Sequence, residues 1–277
     1  MRLGGSRRSG NVIDARGRGR GVGIGLGGLV ILLLGLVFGV DTSGLAALFS
    51  GGSSSAGQAV EADGTDQGND FLMAVLGDTE DVWNQLFAQS GSDYPEPQLV
   101  RFEGIVQSAC GTAQSATGPF YCPADQRIYM DLNFLRELER MGASGDFAAA
   151  YVIAHEVGHH VQNVQGILGA VQQRQSRLPE AQANALSVRV ELMADCYAGV
   201  WAHHADAQRD VLEPGEEVEG IEAAAAVGDD NLMEMAGRAA APESFTHGSS
   251  AQRVGAFRAG FDTGDPGACD SFNASRG

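Results

Sequence analysis

The segment Ala148–Gln162 reads AAAYVIAHEVGHHVQ and places His155 and His159 four residues apart. On a helix that spacing turns through about 400°, so both imidazoles leave one face at neighbouring levels. Two such nitrogens are half of a tetrahedral zinc site. Glu156 lies beside the coordination position such a site keeps open, where a carboxylate can take a proton from zinc-bound water. The chemistry is metal-assisted hydrolysis. The pattern alone arises by chance in about one per cent of chains of this length, so its surroundings must support it. The preceding residues, FAAAYVIA, are apolar all round and describe a helix inside a core. Histidines and a carboxylate at the end of such a helix are costly unless something pairs them. The plain alternative is a set of satisfied core histidines with no metal. Gly158, lacking a side chain, allows another element to approach the helix closely.

Zinc needs a third protein ligand. Glu191 and Asp195 are again four apart, on a second helix, so one can reach the metal while the other accepts the spare ring N–H of a histidine ligand. We assign Glu191 as ligand and Asp195 as the histidine's partner. A solvated acidic pair would be ordinary for charges, but Leu192, Met193, Ala194, Cys196, Tyr197 and Ala198 around them are mostly apolar. His247 precedes a capping box, Ser249-x-x-Gln252, and would be held at a helix N-terminus. There it could stabilise the oxyanion of a tetrahedral intermediate, or serve as a hydrogen-bonded structural histidine. His160, about 100° from His159, faces away from the metal. His203 and His204 read as a solvated pair near a helix end, and Tyr151 and Tyr197 as packed core aromatics.

These residues need a framework. Apolar spacing predicts helices over Asp70–Gln89, 147–164, 179–204, 216–237 and 250–259, with Pro179 suited to a first turn. Leu99–Ser108 and Arg127–Leu132 read as strands around a Gly-containing connection. The class is α+β, mainly helical. Cys110 and Cys122 flank the loop between the strands, so local pairing is the choice among three connectivities, leaving Cys196 with Cys269. Free buried thiols are the alternative.

The chain has 277 residues, 44% of them hydrophobic, and a formal charge of −17 with every basic residue an arginine. A core is affordable and nucleic-acid binding is a poor fit. The charge is uneven. Residues 1–20 hold six arginines against Asp14 alone, whereas the rest carries 12 arginines and 34 acidic residues. Between the two, residues 21–40 contain no ionisable group, and twenty helical residues cover the roughly 30 Å of a bilayer's hydrocarbon core. This predicts a cytoplasmic basic tail at 1–20, one transmembrane helix at 21–40, and an extracytoplasmic remainder by the positive-inside rule. A cleaved signal peptide is the alternative, for which the apolar run is long and the cleavage site unconvincing. Residues 41–68, rich in Gly, Ser, Ala and Asp, read as a flexible linker. Residues 69–277 form the extracytoplasmic domain, where an oxidising compartment favours paired cysteines.

Three blocks, HEVGHHVQ, ELMADCYAGVWA and ESFTHGSSAQR, occur in this order. Together they resemble the neutral zinc metallopeptidase family of membrane-anchored bacterial proteins, over roughly residues 70–275. The resemblance implies a zincin-like, gluzincin-type site, with His155, His159 and Glu191 holding one Zn2+ per chain and Glu156 as general base. It brings no known substrate. The expected activity is hydrolysis of a peptide bond in a peptide or protein by zinc-bound water, with His247 near the oxyanion. In zincins generally an extended substrate pairs with an edge strand, and a strand between residues 99 and 132 could serve. A zinc hydrolase of another amide, such as a cell-wall amidase, needs the same ligands. A non-catalytic zinc-stabilised surface domain fits less well, because structural sites usually fill all four positions with Cys and His.

Overall fold

In the computed structural model, residues 1–16, 60–61, 66–115 and 118–273 are described. The strands among these residues are β1 (Val12–Asp14), β2 (Val60–Glu61), β3 (Gln98–Phe102), β4 (Ile105–Ser108), β5 (Gly111–Gln114), β6 (Phe120–Cys122) and β7 (Arg127–Asp131). Five of them form a sheet in the order β2-β1-β3-β7-β6, and β4 with β5 is a separate hairpin. β1, β3 and β7 run parallel, with Val12 opposite Leu99 and Leu99 opposite Ile128. β6 runs antiparallel to β7 and closes one edge of the sheet. The strand expected over Leu99–Ser108 is broken because Gly104 takes φ +80°, a left-handed conformation that turns the chain out of the sheet.

The helices are α1 (Gln67–Gln89), α2 (Asn133–Arg140), α3 (Asp146–Val164), α4 (Ile167–Gln175), α5 (Glu180–Arg209), α6 (Glu216–Ala226), α7 (Asp229–Met235) and α8 (Ser250–Thr263). The class is mainly helical α+β, as the apolar spacing implied. Two short helices, α2 and α4, were not anticipated; each buries only one or two side chains, Leu138 in the first and Ile167 and Val171 in the second. The helix expected over 216–237 is two, broken at Gly228, where a Cβ would lie 2.4 Å from the Ser250 nitrogen. The α8 backbone therefore occupies the space a continuous helix with a side chain there would need.

α3 is the central rod. Its first two turns, Phe147 to Ala154, are buried throughout, as an all-round apolar sequence requires. α5 crosses it on one side and packs α8 on the other, so closely that a Cβ on Gly260 would fall 1.9 Å from the Cys196 carbonyl oxygen. The Cys196–Cys269 disulfide ties the turn after α8 to α5, and Cys110–Cys122 ties the β4–β5 hairpin to β6.

The N-terminal segment corrects the sequence reading. Residues 1–16 are not a separate tail. β1 sits between β2 and β3, Leu3 is buried, Arg8 makes a two-pronged ion pair with Asp70, and Arg7 reaches Glu80 and Asp81. Several of the arginines that looked like an orientation signal are charge partners of the acidic domain. The linker is also shorter than expected at its C-terminal end, since Val60–Glu61 is a strand and Asp66 caps α1 through the Gly68 and Asn69 N–H groups. The span expected at 21–40 lies outside the described residues. Among those described, no helix is long and apolar enough to cross a membrane.

Candidate metal centre

α3 brings His155, Glu156 and His159 to the wall of a cleft, and α5 brings Glu191 to face them. Gly158 makes this possible, because a Cβ there would lie 2.9 Å from the Ala194 carbonyl oxygen. The close approach falls between Glu191 and Asp195, so one carboxylate comes forward to the cleft and the other sits behind. His155 Nε2 is 3.1 Å from Glu191 Oε2, and His159 Nε2 is 3.5 Å from Glu191 Oε1. One ligand atom from each of His155, His159 and Glu191 can be chosen so that all three lie within 4.8 Å of one another.

Each imidazole is turned by its other nitrogen. His155 Nδ1 meets Asp195 Oδ1 at 2.8 Å, and His159 Nδ1 meets Gln162 Oε1 at 3.0 Å, while Gln162 donates to the Val190 carbonyl at 2.7 Å. Both Nε2 atoms are thereby aimed at Glu191. Burial opposes a charge on His155, but Asp195 and Glu191 outweigh it and raise its pKa to about 10. His159 is raised in the same contest, chiefly by Glu191. Burial alone would raise Glu191, yet the two histidines hold it well below the carboxylate range.

Two imidazoles and a carboxylate are a donor set suited to zinc. Glu156 supplies a test of that fit. Its Oε2 is buried with no hydrogen-bond partner, and burial raises its pKa. An orphaned buried carboxylate oxygen is unfavourable in a purely structural site, and beside three converging donors it is placed to face a ligand of the cation. The residues fit zinc.

Behind the site, Asp195 is fully buried and gathers three elements. It accepts from the Tyr151 hydroxyl at 2.5 Å and from Arg253 of α8 through Nε at 2.9 Å and Nη2 at 2.8 Å, besides meeting His155. Burial pushes its pKa up, and Arg253 and His155 more than reverse this. Tyr151 is therefore more than a packed aromatic. Arg253 ends the third of the quoted blocks, but it received no role there because its partner is 58 residues away.

His247 faces the same cleft from the loop before α8. Asp229, the first residue of α7, accepts from the backbone N–H groups of Thr246, His247 and Gly248 and sits 3.1 Å from His247 Nδ1. That contact raises the His247 pKa, with burial opposing it and Glu191 adding to it. Asp229 was also missed; in the sequence it is one more acid at a helix start.

The other singled-out residues lie elsewhere. His160 is buried on the side of α3 away from the donors, 3.0 Å from the Tyr121 hydroxyl, with Nε2 on the Pro95 carbonyl. His203 and His204 are not a solvated pair: they donate to the Phe261 and Gly264 carbonyls at the end of α8. Tyr197 packs edge-on against Trp83 and donates to Gln165. The cleft has a volume of about 1120 Å³, and Phe120 and Tyr121 of edge strand β6 line it together with His155, Glu156 and His159.

Residues 1–272 match the family described as "putative neutral zinc metallopeptidase". The chain is 44% identical to "Uncharacterized protein YpfJ" of Escherichia coli K12, covering 99% of this chain and all of that protein. It is 43% identical to "Uncharacterized protein Rv2575" of Mycobacterium tuberculosis H37Rv, covering 74% of this chain and 70% of that one. No solved structure matches.

Proposed function

Because the chain belongs to that zinc metallopeptidase family, we propose that it hydrolyses peptide bonds at the cleft formed by α3, α5, α8 and β6. His155, His159 and Glu191 would hold one Zn2+ in a zincin-like, gluzincin-type arrangement. Zinc held there lowers the pKa of a coordinated water towards about 7 and polarises a carbonyl. The observation that carries the reading is the unpartnered buried Oε2 of Glu156 beside the three donors.

Glu156, its pKa raised by burial, is suited to accept a proton at Oε2 and return it to the leaving amine. His247, kept protonated to higher pH by Asp229, can donate a hydrogen bond to a developing oxyanion. Asp195, locked by Arg253 and Tyr151, holds His155 in the tautomer that presents Nε2 to the cleft. Among the described residues β6 pairs only with β7, and its other edge can take an extended peptide by strand addition. Two disulfides support an extracytoplasmic location, and the apolar run at 21–40 supports association with the cell membrane.

The test is incubation of the zinc-loaded full chain with an unstructured protein and a peptide library, read by mass spectrometry. Cleavage abolished by chelation and restored by zinc supports the reading. Bound zinc without peptide cleavage defeats it, and release of stem peptides from cell wall instead would assign an amidase.

A further inference from the structure

His160 and Asn163 belong to the side of α3 that the metal centre does not use. They are three residues apart and share a face, about 100° round the helix from His159. The His160 ring is fully buried between two tyrosines, edge-on to Tyr94 at 5.6 Å and to Tyr121 at 5.4 Å. Its Nε2 lies 2.5 Å from the Pro95 carbonyl, which can only accept, so that nitrogen carries the proton. Nδ1 of the neutral ring is then an acceptor, and the Tyr121 hydroxyl donates to it at 3.0 Å. That hydroxyl accepts in turn from Asn163 Nδ2 at 2.9 Å. The bonds run in one direction, and the hydroxyl and both ring nitrogens have partners.

What these bonds hold is β6. Side chains alternate along the strand, so Tyr121 turns into the main core while Phe120 and Cys122 pack with Tyr129 in a second cluster. β6 has three residues and, among the described residues, one neighbour in the sheet, so the ladder with β7 does not by itself fix its distance from α3. The Tyr121 hydroxyl does so, helped by a longer bond of 3.5 Å from Asn163 to the Pro123 carbonyl just past the strand. A peptide lying along β6 meets His155, Glu156 and His159 correctly only if strand and helix keep one separation. A misplacement of about 1 Å can cost about 10²-fold in rate.

Resting on the peptidase reading above, we propose that His160, Asn163 and the Tyr121 hydroxyl are positioning residues for the substrate strand. α3 carries the metal donors on one face and, on the next, the fastening that sets the height of β6 beside them. Because His160 and Asn163 engage the Tyr121 hydroxyl, the group acts through the strand and not on the reacting atoms. Its effect is on affinity for an extended peptide, through a binding edge that is already in place.

Tyr121→Phe in the full zinc-loaded chain removes one oxygen and keeps the ring. The expected result is a KM for an extended peptide raised by about 2–10-fold, the ordinary range for one hydrogen bond, with a smaller change in kcat. Zinc content and inhibition by acetohydroxamate, which reaches the metal and not the strand, should stay as they are. Asn163→Leu should give the same shift, and the double variant no more than either alone, because both act through one fastening. An unchanged KM overturns the proposal, as does an equal loss of hydroxamate inhibition, which would mean general damage to the site. Hydrogen exchange at the β6 amides of the zinc-free chain needs no activity: faster exchange in Tyr121→Phe supports the fastening, and unchanged exchange overturns it. Absence of cleavage by the unaltered chain defeats the peptidase reading instead, and the exchange measurement then decides the fastening by itself.

Discussion

Gly158 of α3 and Ala194 of α5 touch backbone to backbone, and a Cβ on Gly158 would sit 2.9 Å from the Ala194 oxygen and 3.0 Å from its Cα. Two opposing effects meet at this position. Alanine would favour the helix by about 1 kcal/mol, whereas overpacking costs about 1–3 kcal/mol. No flexible side chain can yield here, so Gly158→Ala should be net destabilising and should move Glu191 away from the histidines. Chemical denaturation and zinc titration are expected to show both losses. A variant that is more stable with unchanged zinc affinity would show that the contact does not set the site.

Glu156 and Glu191 should separate cleanly. Glu156→Gln keeps zinc at one per chain and lowers peptide cleavage by about 10²–10⁴-fold, the usual worth of general acid–base catalysis. Glu191→Ala loses the metal along with the activity. Elemental analysis of the purified chains decides; full activity in the first variant, or full zinc content in the second, would reassign the roles.

Arg253 and Asp195 form a buried pair whose members should not be removed singly. Arg253→Met and Asp195→Asn are each expected to cost about 3–5 kcal/mol in denaturation of the zinc-free chain, because each leaves an uncompensated polar group or charge. The double variant should lose less than the sum. Asp195→Asn should also weaken zinc binding by about 10–100-fold, since it loosens His155. Additive losses would argue that the two side chains act independently.

Asp229 should set the alkaline limit of activity. Histidine ordinarily titrates near 6.5, and hydrogen bonding to Asp229 raises His247 above that. A step that needs the protonated ring is present below the raised pKa and lost as pH rises through it. Asp229→Asn removes the support, so the alkaline limb of kcat should move to lower pH. An unmoved limb would remove His247 from the mechanism.

Much of the site was legible in the sequence because helical spacing is local. His155 with His159, and Glu191 with Asp195, each share a face by virtue of being four apart, and the apolar turn before His155 announces a buried rod. The Ser249–Gln252 capping box is likewise a property of four consecutive residues and is present in the structure. Less local features were not legible. An arginine-rich N-terminus followed by an apolar run has the composition of a membrane orientation signal, and only the positions of Asp70, Glu80 and Asp210 reveal partners for Arg8, Arg7 and Arg2.

The sequence by itself determined the donor types and the helix faces that carry them, since both follow from residue identity and a 3.6-residue repeat. Only the tertiary structure decided that Gly158 meets Ala194, that Arg253 closes on Asp195, that Asp229 holds His247 and that the N-terminal segment lies on α1. Those contacts join residues tens of positions apart. Their free energy comes from close packing and from buried polar groups that find partners across surfaces no local pattern brings together.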